Sequence, residues 1–192
     1  MDFYQQNALS FYRDTVSVDM ASLYGRFLPH VAKGGRILDA GCGSGRDARY
    51  FLHQGFAVEA FDASPALADL ARQLTCLPVA VCRFEEFSGL SRFDAIWACA
   101  SLLHVPLAKL PGVMAHLTDM LHPDGVFYCS FKYGDGEIRR DGRTFTNMTE
   151  TGLAQLLTGL PLRLEAMWQT SDLRPGREQE RWLNALLVKE PS

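Results

Sequence analysis

The run Ile37-Leu38-Asp39-Ala40-Gly41-Cys42-Gly43-Ser44-Gly45-Arg46-Asp47-Ala48 joins an apolar stretch to an acid and three alternating glycines. A strand that stops in such a turn and restarts as a helix lets backbone N–H groups close on a charged small molecule. That geometry suits a nucleotide-like cofactor. The spacing narrows the choice. A dinucleotide fingerprint, G-x-G-x-x-G, would place its third glycine where this chain has Arg46.

Further along, Phe56 to Phe61 has strand character and ends in Asp62, followed by Ala63-Ser64-Pro65. Ser64 can cap a helix and Pro65 can occupy its first turn. An acid at the end of the second strand, about twenty residues past the glycines, is where a ribose diol is gripped, since a carboxylate accepts from both hydroxyls at once. The plainer alternative is that Asp62 only supports the helix start at Ser64. A third strand, Pro78 to Arg83, leads into Phe84-Glu85-Glu86-Phe87. Two more landmarks follow: Phe93-Asp94-Ala95-Ile96-Trp97-Ala98-Cys99-Ala100-Ser101-Leu102-Leu103-His104, and the turn Leu121-His122-Pro123-Asp124-Gly125 before the strand Val126 to Phe131.

Taken in order, these segments resemble the motifs of class I S-adenosylmethionine-dependent methyltransferases over most of residues 36 to 131. The chain as a whole resembles small bacterial members of the tellurite-resistance-like type. The resemblance implies S-adenosyl-L-methionine as cofactor, with Asp39, Gly41, Gly43, Gly45, Asp62, Ala63, Glu85 and Ala98 at its site. Glu85 would approach the adenine amino group, although Asp is the more usual residue there and the role could fall to Glu86. A DNA amino-methylating enzyme would carry an Asn/Asp-Pro-Pro-aromatic motif where this chain reads Ala98-Cys99-Ala100-Ser101.

The positioning elements follow from periodicity. Residues 4 to 31 read as one or two helices, broken around Ser17 to Asp19. Strands at 36–40, 56–61, 78–83, 93–98 and 125–131 alternate with helices at 46–54, 65–74 and 107–120. Tyr133 to Phe145 reads as a polar glycine-rich span, and Asn147 with Glu150 as a capping box for a helix. Strands at about 162–170 and 182–189 close the chain. The expected architecture is α/β, a doubly wound, mostly parallel seven-stranded sheet of the Rossmann-like class I methyltransferase fold. Helices cover both faces and an N-terminal helical lid is added. We expect a single domain over 1–192, with 1–31 as the lid and 132–148 and 171–181 as active-site loops.

Composition bounds the partners. The 192 residues are 47% hydrophobic, enough for one large core. A net charge of −3 disfavours a nucleic-acid substrate gripped through its phosphates. No secretory signal and no bilayer-length apolar run is evident, so a cytoplasmic enzyme with a small-molecule acceptor and no membrane partner is expected. Oligomeric state is not encoded in any readable pattern. The five cysteines, Cys42, Cys76, Cys82, Cys99 and Cys129, form no C-x-x-C pair and read as reduced thiols in buried or half-buried segments; no metal is expected.

In an open parallel sheet, ligands sit beyond the carboxyl ends of the strands at the switch point, here between the strands ending at Ala40 and Ala98. His104 is the candidate general base, since it follows the fourth strand and titrates near neutrality. A structural histidine at the turn before Pro106 is the equal alternative. Arg139, Arg140, Arg143, Arg174, Arg177 and Arg181 map to the two loops over the mouth, and Arg174 or Arg177 would anchor an anionic acceptor through its guanidinium fork. Asp135, Glu137, Asp141, Asp172, Glu178 and Glu180 lie among them, so a salt-bridged cover is the alternative. Tyr4 and Tyr12 are candidate lid residues, with plain core packing as the favoured alternative for both. The function expected is in-line methyl transfer to a small, anionic acceptor. A module that binds S-adenosylmethionine without turnover, or a nicotinamide-dependent oxidoreductase, are the competing readings.

Overall fold

The structure is a computed structural model that describes residues 2–89, 91–140 and 142–191. Its elements run α1 (Asp2–Thr15), α2 (Ala21–Phe27), β1 (Arg36–Ala40), α3 (Arg46–His53), β2 (Ala57–Asp62), α4 (Pro65–Thr75), β3 (Ala80–Val81) and β4 (Phe93–Ala98). They continue with α5 (Leu110–Asp119), β5 (Leu121–Lys132), β6 (Glu137–Arg140), β7 (Arg143–Thr146), α6 (Glu150–Leu157), β8 (Leu162–Ser171) and β9 (Arg181–Lys189). Seven strands form one sheet in the order β3-β2-β1-β4-β5-β9-β8. β1 through β5 are parallel, and β9 runs antiparallel to both β5 and β8. β8 therefore points the same way as the parallel strands, and the connection from β8 to β9 emerges at their carboxyl edge.

Because helices cover both faces, the central strands are apolar on both sides, and neighbouring residues divide between two cores. In β4, Ile96 and Ala98 pack with Leu38 of β1 and with Val113, Met114 and Leu117 of α5. Ala95 and Trp97 face the other way, against Phe27 of α2 and Ala48 and Phe51 of α3. Trp97 stacks on Tyr128 of β5 with centroids 4.0 Å apart. No helix among the described residues is long and apolar enough to cross a membrane.

Several local expectations need correction. The third strand shrinks from 78–83 to two residues. The helix expected at 107–120 begins as a 3-10 turn, Leu107–Lys109, and becomes α-helical at Leu110. Pro111, lacking a donor, sits in that first α turn. The polar span 133–145 is no simple loop, since β6 and β7 pair as an antiparallel hairpin from Glu137↔Thr146 to Arg140↔Arg143. The cap of α6 is Thr149, whose hydroxyl accepts from the Gly152 N–H at 3.2 Å, and not Asn147. All five cysteines are free thiols, but Cys76 is exposed because it closes α4 in a left-handed conformation, φ +60°. Asp141 lies outside the described residues.

Gly45 begins α3 at φ +80°, and a Cβ there would stand 2.9 Å from the Ala71 Cβ of α4. Both the backbone conformation and the helix–turn contact demand glycine. Gly45→Ala should therefore cost about 2–4 kcal/mol, the sum of left-handed strain and overpacking, read as a lower urea midpoint with an unchanged slope.

Candidate functional site

The carboxyl ends of β1, β4 and β5 open into a cleft of about 220 Å³. Gly41, Cys42, Gly43 and Ser44 form its floor, with Cys99, Ala100, Leu103, His104, Ser130 and Lys132 on one wall. The hairpin contributes Arg140, Arg143 and Phe145, the β8–β9 connection contributes Asp172, Arg174 and Arg177, and α1 closes the remaining side with Tyr4, Phe11 and Thr15.

The floor is shaped by backbone conformation. Gly41 and Gly43 adopt φ +77° and +54°. The N–H groups of Gly41 and Cys42 both donate to the Phe61 carbonyl, at 3.0 and 2.9 Å, which binds the turn to the end of β2. Asp62 completes the junction: one carboxylate oxygen accepts from Gly43 N and the other from Ser64 N, each at 2.8 Å. Burial raises its pKa, opposed by those two donors. A carboxylate oxygen offers two lone pairs, so each has the capacity for one further donor, although Asp62, like Glu85, is not among the residues that line the cleft. The three glycines are needed for different reasons. A side chain on Gly41 would strike Ser101 at 2.7 Å, one on Gly45 would strike α4, and one on Gly43 would meet Phe11 of α1 at 3.3 Å.

Not all residues expected at a cofactor face the cleft. Asp39 is buried, 2% exposed, and its carboxylate accepts from the Ala48 N–H at 3.0 Å, holding the start of α3. Gly45 packs against α4, and Ala98 is fully buried at the end of β4. Glu85 lies off the cleft lining with its side chain 43% exposed, 3.8 Å from Lys109. Ala63 follows Asp62, half-buried.

Two features escaped the sequence reading. Asp47 is buried, yet its carboxylate is fully engaged: Tyr24 donates at 2.5 Å, Trp97 Nε1 at 2.8 Å, and the Arg46 guanidinium donates to both oxygens at 2.6 and 2.9 Å. Burial opposes its charge, but Arg46 and these donors bring its pKa below the usual value. Burial, with the Asp47 charge nearby, pushes Asp39 well upward. An acid in the first turn of a helix reads as solvated, and only the tertiary contacts distinguish it. The second feature is Ala100, a non-glycine residue at φ +51° whose N–H meets Ser130 Oγ at 2.8 Å. Such strain persists where surrounding structure enforces it, and it clusters at functional sites.

His104 lies in the 3-10 turn Leu102–His104 after β4. Its Nδ1 faces the Thr144 carbonyl at 3.4 Å and its Nε2 faces the Tyr4 hydroxyl at 2.7 Å. A carbonyl can only accept, so Nδ1 carries the proton and the Nε2 lone pair receives the Tyr4 O–H. Burial, with Arg143 nearby, lowers its pKa to about 4. Burial, with Asp47 nearby, raises the Cys99 thiol to about 12, which keeps it protonated and a poor nucleophile. Tyr12 lines a separate surface groove.

Of the six arginines expected at the mouth, Arg140, Arg143, Arg174 and Arg177 line it. Arg174 closes its fork on Asp172, at 2.9 and 2.5 Å, and Trp182 Nε1 donates to the same carboxylate at 3.0 Å. Arg177 is 3.7 Å from Glu180, whose carboxylate also receives Lys132 at 2.5 Å. The cleft lining holds Arg46, Lys132, Arg140, Arg143, Arg174 and Arg177 against Asp47 and Asp172, a marked excess of positive charge. Among the described residues no cluster of three or more His, Cys, Asp or Glu could hold a metal.

A sheet with this strand order and a glycine-floored cleft at its switch point defines a nucleotide-cofactor fold, and comparison with known proteins makes the class specific. A methyltransferase domain family matches residues 12–166, more than half of the chain, and the chain belongs to that family. No curated protein sequence gives a significant match. Among solved structures it is similar to Burkholderia thailandensis 1,6-didemethyltoxoflavin-N1-methyltransferase with bound 1,6-didemethyltoxoflavin and S-adenosylhomocysteine. The identity is 26% and the TM-score 0.76, over 99% of this chain and 88% of the other. The fold is shared with a TehB-like S-adenosylmethionine-dependent methyltransferase from Corynebacterium glutamicum (21%, TM-score 0.74, 99% and 100% covered). It is shared also with the N-methyltransferase NodS from Bradyrhizobium japonicum (18%, TM-score 0.75, 97% and 98%).

The buried imidazole makes a pH prediction. Its pKa is lower in the folded chain, about 4, than the usual 6.5, so the unfolded state takes the proton first. Stability is intact above about pH 6.5 and falls as pH drops toward 4, by about 3 kcal/mol in total. Urea titrations across that window should show the slope in the wild type and a flatter one in His104→Gln.

Proposed function

We propose that the chain is an S-adenosylmethionine-dependent methyltransferase that acts on a small, anionic acceptor. The observation that carries this reading is the division of one cleft into a glycine floor, with the Asp62 carboxylate hydrogen-bonded behind it, and a cationic, aromatic mouth. On the floor, the Gly41 and Gly43 backbone and the Asp62 carboxylate would hold the nucleoside and amino-acid parts of the cofactor. Ala63 would contribute backbone beside Asp62, Ala98 would support the site from within β4, and Glu85 would have to turn from Lys109 to reach the adenine edge. Asp39 and Gly45 keep the turn in shape from behind. The bound cofactor supplies an electrophilic methyl group, and the protein supplies alignment and a dry site.

The mouth is made by residues 132–148 and 171–181, and residues 1–31 act as the lid of a single domain spanning 1–192. Arg177 is the better acceptor anchor, because the Arg174 fork is already closed on Asp172. His104, neutral at physiological pH, would accept a proton from the acceptor once Tyr4 gives up its Nε2. A small molecule is favoured over nucleic acid by the net charge of −3. We take the compartment to be the cytoplasm, in keeping with five free thiols.

Calorimetry with S-adenosylhomocysteine tests the cofactor half of the reading. The wild type should bind it and ignore NAD, and Asp62→Ala should bind roughly 10- to 150-fold more weakly, the loss of charge-assisted hydrogen bonds worth about 1.5–3 kcal/mol. Unchanged affinity in that variant would remove Asp62 from the site.

The acceptor half is tested kinetically. Arg177→Ala should leave S-adenosylhomocysteine affinity intact while raising the Michaelis constant for an anionic acceptor about tenfold, the mark of lost ground-state binding. The reverse pattern would assign Arg177 to the cofactor.

A further inference from the structure

Tyr4 sits inside the cleft in a setting unlike that of a packing residue. Its O–H is donated to His104 Nε2 at 2.7 Å, while the Arg143 guanidinium donates to the same oxygen at 3.4 Å. The ring stands edge-on to Phe11 and to the His104 imidazole, with centroids at 5.2 and 5.3 Å. The contacts supply what an aryl hydroxyl needs as it reacts, a lone pair for its proton, a cation beside the oxygen and flat walls for the ring; burial raises the Tyr4 hydroxyl pKa and lowers that of His104, so the proton moves only as the new bond to oxygen forms.

Resting on the methyltransferase reading above, we infer that the acceptor is a hydroxyaryl carboxylate methylated on its phenolic oxygen, and that its hydroxyl takes the place held by that of Tyr4 between His104 and Arg143. Other acceptor atoms suit the site less well. An aniline nitrogen brings two donors and a poor acceptor, so the Arg143 N–H would point at a group unable to receive it. A thiol is too large and too weak a donor for a 2.7 Å contact. The carboxylate follows from the mouth, where Arg174 is closed on Asp172 and Lys132 on Glu180 but Arg177 is half-exposed and 3.7 Å from Glu180.

The reaction balances without a further reagent. The phenolic oxygen bonds to the methyl carbon, the carbon–sulfur bond breaks with its pair left on sulfur, and the phenolic proton passes to His104 Nε2 and then to solvent. The fold also allows Tyr4 to leave. Helix α1 is kinked at Asn7, with φ −114° and ψ 17°, so the turn carrying Tyr4 is separated from the part that sets Phe11 against Gly43.

The experiment measures methyl transfer from S-adenosylmethionine to 3- and 4-hydroxybenzoate, with 4-aminobenzoate and 4-mercaptobenzoate as rivals, after S-adenosylhomocysteine binding has been checked by calorimetry. The expected result is an O-methyl product from a hydroxybenzoate and at least tenfold less transfer to the amine and the thiol. Tyr4→Phe, which frees the His104 lone pair, should lower the Michaelis constant for the hydroxybenzoate several-fold. His104→Gln should lower kcat about 100-fold. The inference is overturned if S-adenosylhomocysteine binds but neither hydroxybenzoate is methylated, if the amine or thiol is methylated as well as the phenol, or if Tyr4→Phe lowers kcat as His104→Gln does, which would make Tyr4 a catalytic group. A chain that does not bind S-adenosylhomocysteine overturns the methyltransferase reading itself and this one with it.

Discussion

A carboxylate almost out of reach of water organises the cofactor side of this protein. Asp47 is 6% exposed and receives hydrogen bonds from Tyr24 on α2, Trp97 on β4 and Arg46 beside it on α3. A buried charge that loses its partner costs several kcal/mol, so the four side chains hold one another in a single arrangement. That arrangement fixes the first turn of α3, and with it the glycine turn that precedes it. Arg46 also donates to the Thr15 carbonyl at the end of α1, at 3.3 Å. The network thus joins the floor of the cleft to the helix that closes it. Asp39, two residues before the turn begins at Gly41, steadies the same helix start through Ala48 N.

From that anchored floor the direction of the strands decides what can meet over it. The parallel strands deliver the turns after β1, β2 and β4 to one edge. The antiparallel β9 then lets β8 run parallel as well, which brings the Asp172 to Glu180 connection to the same edge. Here the chain places buried ion pairs where a simple loop would be mobile. Asp172 is held by both Arg174 and the Trp182 indole, so the connection has a fixed root and a more exposed tip at Arg177. The hairpin β6–β7 is tied down independently, with Glu137 accepting from the Leu107 N–H at 2.5 Å. Both sides of the mouth are therefore preformed, which reduces the ordering cost of binding an acceptor.

The parts of this structure that were readable in the sequence are those built by backbone geometry. Strand runs, the glycine turn, Ser64 and Pro65 at the start of α4, and the carboxyl-edge location all follow from period and from conformational limits that act over a few residues. What could not be read depends on contacts between distant segments. Asp47 looks like a solvated acid in a first helical turn until Tyr24 and Trp97 arrive from 23 and 50 residues away. The contact of Asp39 with the start of α3 is illegible for the same reason, since strand-end acids look alike whether they face a ligand or a helix. The hairpin at 137–146 was missed because its strands are short and, in β6, exposed along their whole length, which leaves no apolar alternation to detect. His104 was identified by its position after β4, but its neutral state and its link to Tyr4 come from opposite ends of the cleft.

The same distinction explains why the two halves of the cleft carry different amounts of information about chemistry. On the proposed reading, backbone donors and one carboxylate hold the nucleoside, and the fold that presents them is shared with a methyltransferase 26% identical. The acceptor half has no such economy. It is assembled from α1, the turn after β4, the hairpin and the β8–β9 connection, and each contributes side chains, Tyr4, His104, Arg143 and Arg177, whose types set charge and proton demand. On the proposed reading, substituting any of these should change which acceptor fits while leaving the sheet and the glycine turn in place. A fold that keeps its cofactor contacts in the backbone can therefore vary its acceptor through a handful of side chains, and those side chains are where the specificity of this enzyme must be sought.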